Sequence, residues 1–306
     1  MYNTHDPKVL PIRNGVRPSC VVLPSRGQGL ILDFLCERLP LVSREDWLCR
    51  MRAGEVVDEY GSGITPLSVF NPGVRIYYYR QLFHEKEVPF VEDVIYQDEH
   101  LVVADKPHFM PVNPGGGYLQ NSLLVRLRNR LALEELSPLH RIDRDTAGIV
   151  IFSVKRSERG KYQALFAKKE VCKIYEACGR LNPQVRFPLH YASRLESLEG
   201  SIRMQEVAGE PNAITDIVQL ERLGDVARYQ LFPITGKRHQ LRVQMASLGM
   251  ALCHDLLYPD NRGDAAIDYQ KPLQLLAKSI KFVDPVTGEE RFFESRRNLL
   301  SLSLLM

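Results

Sequence analysis

The sequence lacks the features of several protein classes. Its 306 residues contain no uninterrupted apolar run near the roughly 18–20 residues that a membrane-spanning helix needs. Its N-terminus carries acid and proline where a signal peptide would be apolar. It has no P-loop, no dinucleotide-binding glycine pattern and no metal-ligand cluster. We therefore expect a cytoplasmic protein without membrane attachment or bound metal.

The six cysteines form no CxxC pair, and their spacing fits neither a zinc site nor a disulfide framework. In a reducing compartment such residues are most often core side chains. We therefore expect free and mostly buried thiols.

The composition is that of a folded protein with little overall charge bias. Hydrophobic residues make up 44% of the chain and charged residues 25%, which excludes disorder of the whole chain. The net charge is only +3, yet residues 121–180 carry 13 Lys and Arg against seven Asp and Glu. A basic segment in a near-neutral chain is typical of a polyanion site. A solvated charged face is the alternative interpretation.

The length predicts about two domains. Residues 1–24 read as an extended arm, and residues 25–84 as a small unit with two short helices, the second capped by Ser43. A charged, proline-ended linker then leads into a larger unit over residues 90–306. Predicted strands outnumber helices without a regular βαβ rhythm, which indicates an α+β fold.

Apolar periodicity and turn residues predict the elements of the larger unit. The predicted helices cover 121–133, a segment from the cap Ser157 to Lys168, and a segment opening at Thr235-Gly236 and ending at Gly249. The predicted strands cover 101–104, 148–152, 171–178, 213–223, 226–234, 280–283 and 291–293.

A carboxylate among arginines stands directly before the buried strand at 148–152. Asp143 lies in the segment His140–Gly148, between Arg141 and Arg144. Adjacent cations favour the ionised form of a carboxylate, so Asp143 is a candidate nucleophile or base. A structural ion-pair cluster is the alternative. Asp145 is the rival carboxylate, and its plainest role is to pair with Arg144.

Two further segments supply polar groups that could join this site. Lys173 and Tyr175 share one face of a predicted strand, where Tyr175 would offer a flat platform and a hydroxyl group. In the segment Thr235–Val243, Gly236 at a helix start could seat an anion, and Arg242 could pair with a carboxylate. Taken alone, the tyrosine could belong to the core and the helix could be a basic surface helix.

Taken together, these segments resemble the RluA-type RNA pseudouridine synthases. His140–Gly148 is similar to the HRLDRxTSG signature of that family, Lys173–Tyr175 to its KxY strand, and Thr235–Val243 to its TGRxHQIRVH segment. Asp98–Pro107 resembles its first strand, and the order and spacing agree from about residue 91 to the end of the chain. More weakly, Leu32–Tyr78 resembles an S4-type RNA-binding domain.

The resemblance implies an enzyme that isomerises uridines of structured RNA after flipping the base out of its stack. It implies a mixed, largely antiparallel sheet flanked by helices and loops, with a small S4-like α/β module before it. Asp143 would be the catalytic aspartate, Tyr175 would stack on the uracil, and Arg242 would form a buried ion pair with Asp143. Arg141 would help to fill the space that the flipped nucleotide leaves. No cofactor is implied, and we expect a monomer.

The RNA partner is expected to be 23S-type ribosomal RNA, with transfer RNA as the alternative. Departures from the family pattern occur at Ala147, Gln244, His254 and Leu276. The residues expected to contact RNA are Arg141, Arg144, His140, Lys173, Arg238, His239, Arg126, Arg128 and Lys169.

Two other function classes remain open at this point. A non-catalytic RNA-binding protein could keep the same fold, although simple binding would not need a carboxylate facing a phosphate-rich ligand. A glycosidase-like hydrolase would need two carboxylates about 5–10 Å apart, and the sequence offers only the crowded pair Asp143 and Asp145.

Overall fold

The structure, a computed structural model, describes residues 10–80, 82, 84–261 and 266–306. Its described residues divide into two compact units. The first unit extends to Lys86 and includes Gly115–Gln120, and the second comprises Glu87–Pro114 and Asn121–Met306. Among the helices of the described ranges, none is both long and apolar enough to cross a membrane.

The first unit contains a three-stranded antiparallel sheet and two helices. Its elements in chain order are β1 (Ser19–Val22), α1 (Ile31–Arg38), α2 (Arg44–Arg52), β2 (Val56–Asp58) and β3 (Arg75–Tyr78), and the strand order is β1-β3-β2. Both predicted helices are present.

The core of the first unit forms around Trp47 of α2, which is fully buried. The edge of its ring packs against the face of Tyr78, with ring centroids 5.1 Å apart. The predicted cap of α2 is confirmed, because the Ser43 hydroxyl accepts a hydrogen bond from the backbone N–H of Asp46 at 3.1 Å.

One boundary differs from the sequence analysis. Ser19–Val22, which the sequence places in the arm over residues 1–24, forms β1 and pairs with Arg75–Tyr78. The two strands lie more than fifty residues apart in the chain, so local sequence carries no signal of their pairing. The start of this unit therefore precedes residue 25.

The second unit is built on one large mixed sheet. Nine of its ten strand pairings in the described residues are antiparallel, whereas β13 and β7 run parallel. The strand order in the described residues is β10-β9-β11-β12-β8-β13-β7-β5-β4, with β14 beside β13 and β6 beside β7. The α+β class and the mixed, largely antiparallel sheet are therefore confirmed. The strands are β4 (Asp93–Gln97), β5 (Leu101–Lys106), β6 (Ser137–Pro138), β7 (Ala147–Ser153), β8 (Cys172–Arg180), β9 (Leu189–Ser197), β10 (Met204–Val207), β11 (Ala213–Leu223), β12 (Val226–Pro233), β13 (Leu275–Val283) and β14 (Glu290–Glu294).

Three helices accompany this sheet: α3 (Leu123–Leu131), α4 (Arg159–Ala167) and α5 (Gln240–Ser247). All three begin later than the sequence predicts, α3 by two residues. Glu158, not Ser157, is the N-cap residue of α4. The α5 helix begins at Gln240 and not at Thr235, because His239 adopts a left-handed backbone conformation with φ of 54° that a helix cannot contain.

Gly148 fixes how β7 joins β13. Its φ of +112° is open to glycine but rarely to other residues, and a Cβ atom here would lie 2.2 Å from the carbonyl oxygen of Ala277. The strand Ala147–Ser153 is buried along its whole length. Close backbone contact at Gly148 therefore sets the start of β7, and with it the preceding Asp143 loop, beside the centre of the sheet.

The prediction of mostly buried thiols is wrong. All six cysteines are free, but Cys20, Cys49 and Cys172 are exposed and only Cys178 is buried. Cys172 shows the reason: it begins β8, where strand ends leave the interior and alternate residues face solvent.

Candidate active site

The loop between β6 and β7 places Asp143 at the mouth of a cavity of about 100 Å³. The Asp143 side chain is 26% exposed, so it is within reach of a ligand. One of its carboxylate oxygens, Oδ2, accepts a hydrogen bond from Nη1 of Arg242 at 3.3 Å. The predicted pairing of the α5 arginine with this carboxylate is present in the structure.

A second carboxylate holds Arg242 in place. Asp255 is fully buried and accepts two hydrogen bonds from the same guanidinium, from Nε at 2.8 Å and from Nη2 at 2.6 Å. Burial alone would lower the pKa of Arg242, but the hydrogen bonds from its guanidinium to Asp255 outweigh that effect and raise the pKa. Asp255 also accepts the backbone N–H groups of Leu257 and Tyr258. The cation that faces Asp143 is therefore rigid and permanently charged.

Tyr175 lines the same cavity from the middle of β8, where it is paired with Leu231 on one side and Ala277 on the other. Burial raises the pKa of the phenol, and the negative charge of Asp143 raises it further. Tyr175 is consequently a neutral hydroxyl donor at any physiological pH. Its ring offers a flat surface beside the carboxylate.

Lys173 lies two residues before Tyr175 on the same face of β8 and also lines the cavity. Its ammonium group donates a hydrogen bond to the carbonyl oxygen of Thr235 at 3.2 Å. Burial lowers the pKa of this lysine. The cavity wall thus carries a cation beyond Arg242.

The loop over residues 235–239 closes the opposite wall. Buried Gln240 holds it, because its side-chain oxygen accepts the Thr235 hydroxyl and the Lys237 backbone N–H at 2.7 and 3.0 Å. Gly236 lies in this loop four residues before α5 and not at a helix start, so the predicted anion seat is wrong. Gly236 still lines the cavity.

His239 approaches the other oxygen of the Asp143 carboxylate, with Nε2 at 3.9 Å from Oδ1. Its Nδ1 shares a hydrogen bond of 2.9 Å with the Tyr258 hydroxyl. Burial lowers the pKa of this imidazole, and the charge of Asp143 only partly opposes the shift. His239 is therefore neutral at pH 7.

The expected contact residues separate into three groups. Arg141, Lys173 and His239 line the cavity with Asp143. Arg144 lies beside it and donates to Asp145 at 2.8 Å, so Asp145 takes the pairing role that the sequence indicates. Exposed Arg238 and Lys169 do not line the cavity; Lys169 follows α4, and Arg238 donates to the Arg203 carbonyl oxygen.

Of three further expected RNA contacts, one is buried and two are half-buried, and all three bond within the protein. Arg128 is buried and donates twice to the carbonyl oxygen of Leu136. Arg126 donates to the Phe90 and Val88 carbonyls. The Nε2 atom of His140 accepts the Ile151 backbone N–H, and burial lowers the pKa of this imidazole to about 3. The Arg128 prediction is corrected, because its buried guanidinium serves the Leu136 carbonyl, whereas RNA contacts of Arg126 and His140 stay predictions.

Two residues that support the site were missed in the sequence. Asp255 directly follows His254, a departure from the family pattern, and its sequence signal was a carboxylate soon after Gly249, where the chain can fold back on the helix. Lys106 is fully buried and donates to the carbonyls of Pro107, Met110 and Arg144, and burial lowers its pKa to about 7. The sequence signal for Lys106 was its position at the end of an apolar strand.

With this geometry established, the comparisons identify the family. A sequence profile described as RNA pseudouridylate synthase matches residues 100–247. The dual-specificity RNA pseudouridine synthase RluA of Haemophilus influenzae is 30% identical over 213 residues, which are 67% of this chain and 92% of that protein. The chain belongs to the RluA-type family of RNA pseudouridine synthases. As such it is an RNA-modifying isomerase.

Two further proteins resemble the chain. The ribosomal large subunit pseudouridine synthase C of Vibrio cholerae is 32% identical over 199 residues, which span 64% of this chain and 63% of that protein. The solved structure of human RNA pseudouridylate synthase domain containing 1 has a TM-score of 0.56 at 22% identity, over 72% of this chain and 96% of that one. That similarity confirms the catalytic fold.

Proposed function

We propose that this chain converts uridine to pseudouridine in structured RNA, with Asp143 as the catalytic aspartate. One observation carries the proposal: the Asp143 carboxylate, held by Arg242, lines the same cavity as the neutral hydroxyl of Tyr175. A carboxylate held by the hydrogen bond of a buried cation is fixed in its orientation. This is what an attack on a sugar carbon or the removal of a proton requires.

The reaction needs no atom from outside the substrate. The N1–C1′ bond of a flipped uridine breaks with the assistance of Asp143, and the uracil turns within the cavity. A bond then forms between C5 and C1′, the proton on C5 is lost, and N1 gains a proton. Tyr175 supports the ring during this turn and donates a hydrogen bond. Because no electron or phosphoryl group is transferred, the step requires no cofactor.

The structure argues against a glycosidase-like hydrolase. That chemistry needs a second carboxylate across the scissile bond. Asp145 is committed to Arg144 and lines a different cavity from Asp143. A protein that only bound RNA would not need the buried Arg242–Asp255 pair to hold the Asp143 carboxylate in the cavity wall.

For the substrate we propose 23S-type ribosomal RNA. The Vibrio cholerae relative is named for the large ribosomal subunit, and that name supports the choice. The resemblance of Leu32–Tyr78 to an S4 domain supports it further, and we propose that residues 25–84 bind RNA. Transfer RNA is the alternative. We further propose that the protein acts as a cytoplasmic monomer.

The test of the chemistry follows the hydrogen on C5. Purified protein is incubated with total RNA from cells that lack it, labelled with tritium at uracil C5, and released tritium is counted. We expect release by the wild type and none by Asp143→Asn. Asp225→Asn, an exposed change in the β11–β12 turn, is the matched control and should release at the wild-type rate. Undiminished release by Asp143→Asn would remove Asp143 from the reaction.

The test of the substrate compares pseudouridines in cellular RNA with and without the protein. Sites lost from large-subunit ribosomal RNA would support the proposed substrate. Sites lost only from transfer RNA would establish the alternative.

A further inference from the structure

We infer that a second cavity beside the Asp143 cavity binds the nucleotide next to the target uridine, and that His254 contacts its base. This inference rests on the proposed function and names a further part of the RNA that the protein recognises. It follows from the cavity's position, the conformation of His254 and the chemistry of the walls.

The second cavity has a volume of about 280 Å³. It shares Arg242 with the Asp143 cavity, so one guanidinium separates the two spaces. Its walls also include Arg144 and Asp145, the residues that directly follow Asp143. Consecutive residues of one loop therefore face two adjoining cavities. Adjoining cavities suit adjacent nucleotides of one strand.

His254 holds an unusual position in this wall. Its φ of 62° lies in the left-handed region, which favours glycine and is uncommon for a side-chain-bearing residue. In the sequence His254 is also one of the departures from the family pattern. A histidine retained in this conformation points to a use for its side chain.

The ring of His254 is oriented by a backbone atom. Its Nδ1 lies 3.1 Å from the carbonyl oxygen of Pro272, which can only accept, so Nδ1 carries the proton. In the neutral imidazole the other nitrogen, Nε2, is then a hydrogen-bond acceptor. An acceptor at the wall of a cavity selects ligands that present an N–H group, such as the exocyclic amino group of adenine.

The remaining walls fit a base and a phosphate. Phe109 contributes an aromatic ring to the wall, and two other rings pack against it: Phe90 is stacked, with centroids 5.9 Å apart, and Tyr269 is nearly perpendicular at 5.2 Å. Aliphatic side chains complete the apolar part, and Lys271 adds a cation to Arg144 and Arg242. The negative charges of the two carboxylates in the wall are balanced by neighbouring cations. Asp145 pairs with Arg144, and Asp268 lies 4.0 Å from Lys271.

The test measures binding of fluorescent RNA hairpins whose loop holds a single uridine. Both neighbours of that uridine are adenosine, purine riboside (adenosine without its amino group) or an abasic unit. We expect the wild type to bind the adenosine hairpin about two- to tenfold more tightly than the purine riboside hairpin, as one hydrogen bond would give. The abasic hairpin should bind about five- to a hundredfold more weakly than the adenosine hairpin.

His254→Gly is the decisive variant. Glycine suits the left-handed conformation, so the variant should fold, and its melting temperature should equal or exceed that of the wild type. We expect it to bind the adenosine and purine riboside hairpins equally. Lys271→Gln is the comparison variant: it should weaken all three hairpins alike and keep the preference for adenosine.

The outcomes separate this inference from the proposed function. Equal binding of the first two hairpins by the wild type, or a preference that survives in His254→Gly, would overturn the inference. If the preference is present and depends on His254 while no RNA releases tritium from C5, the inference stands and the proposed function fails. If the wild type releases tritium but binds the adenosine and purine riboside hairpins equally, the proposed function stands and the inference fails.

Discussion

Arg242 and Asp255 form the buried ion pair on which the candidate active site is built. The guanidinium gives Nε and Nη2 to the two oxygens of Asp255 and leaves Nη1 for Asp143, at 3.3 Å. Asp255 lies thirteen residues after Arg242, beyond the end of α5. The α5 helix and the segment that follows it together place one cation against the Asp143 carboxylate.

The first prediction concerns Asp255→Asn. Removing one member of a buried pair leaves an uncompensated charge, which costs about 3–5 kcal/mol of unfolding free energy. Urea unfolding should show this loss, and kcat should fall because Arg242 is no longer fixed. Asp225→Asn, with its exposed carboxylate, should leave both unchanged. A stable, fully active Asp255→Asn protein would contradict the positioning role.

The second prediction concerns Tyr175→Phe. The ring remains and the hydroxyl is lost, so RNA affinity should hold while turnover drops about 10²–10³-fold, the range typical of losing one positioned hydrogen-bond donor. Because the pKa of Tyr175 is raised, the pH–rate profile of the wild type should show no ionisation of this phenol up to pH 10. If Tyr175→Phe binds RNA more weakly at unchanged kcat, the Tyr175 side chain contributes to RNA binding and its hydroxyl takes no part in the reaction.

The third prediction separates surface arginines from buried ones. Arg141 is exposed at the cavity, and Arg141→Gln should lower the slope of log affinity against log salt by about 0.7–0.9, the value of one phosphate contact. Arg128→Gln should leave that slope unchanged and cost about 1–3 kcal/mol of stability, because the Leu136 carbonyl loses its buried donor. A lower salt slope in Arg128→Gln together with an unchanged slope in Arg141→Gln would instead indicate that Arg128 contacts RNA.

The fourth prediction is a pH dependence of stability from His140. Its folded pKa of about 3 lies below the unfolded value of about 6.5, so the folded state binds the proton more weakly. The contribution of neutral His140 to the free energy of unfolding is complete above pH 6.5. As the pH falls towards 3, that free energy declines by about 1.4 kcal/mol per pH unit. His140→Gln should reduce this decline, measured by urea unfolding at several pH values.

Two other histidines serve as references for that experiment. His108, whose pKa burial lowers to about 4, keeps its own decline in the His140→Gln variant, so a residual slope is expected. His190→Gln, which changes an exposed imidazole bonded to Asp216, serves as the surface comparison. An identical slope in wild type and His140→Gln would show that His140 is not held neutral.

The fifth prediction concerns Gly148→Ala. A Cβ atom at this position would lie 2.2 Å from the Ala277 carbonyl oxygen, so β7 and β13 must separate. We expect a loss of more than about 3 kcal/mol, or no folded protein. Gly288→Ala has a similarly positive φ of +77° but open space around it, and should cost about 1 kcal/mol. Similar losses in both variants would exclude the steric explanation.

Much of the fold could be read from local patterns. The cap at Ser43, the apolar run of β7 and the β11–β12 hairpin depend on neighbours within a few residues, and each is present. The strands β9 and β10 were missed because their residues alternate weakly between buried and exposed positions. The pairing of β1 was missed because its partner is distant in the chain.

The sequence by itself determined the residue types of the site: a carboxylate among arginines, a tyrosine on a strand and an arginine on a helix. Their order and spacing were enough to indicate the family. Only the tertiary structure decided which charges are used. It buried Arg128, bonded His140 to the backbone of β7, paired Asp145 with Arg144, and brought Asp255 to Arg242. The physical reason is that a charged group's role depends on its burial and its partners, and contacts between distant segments fix both.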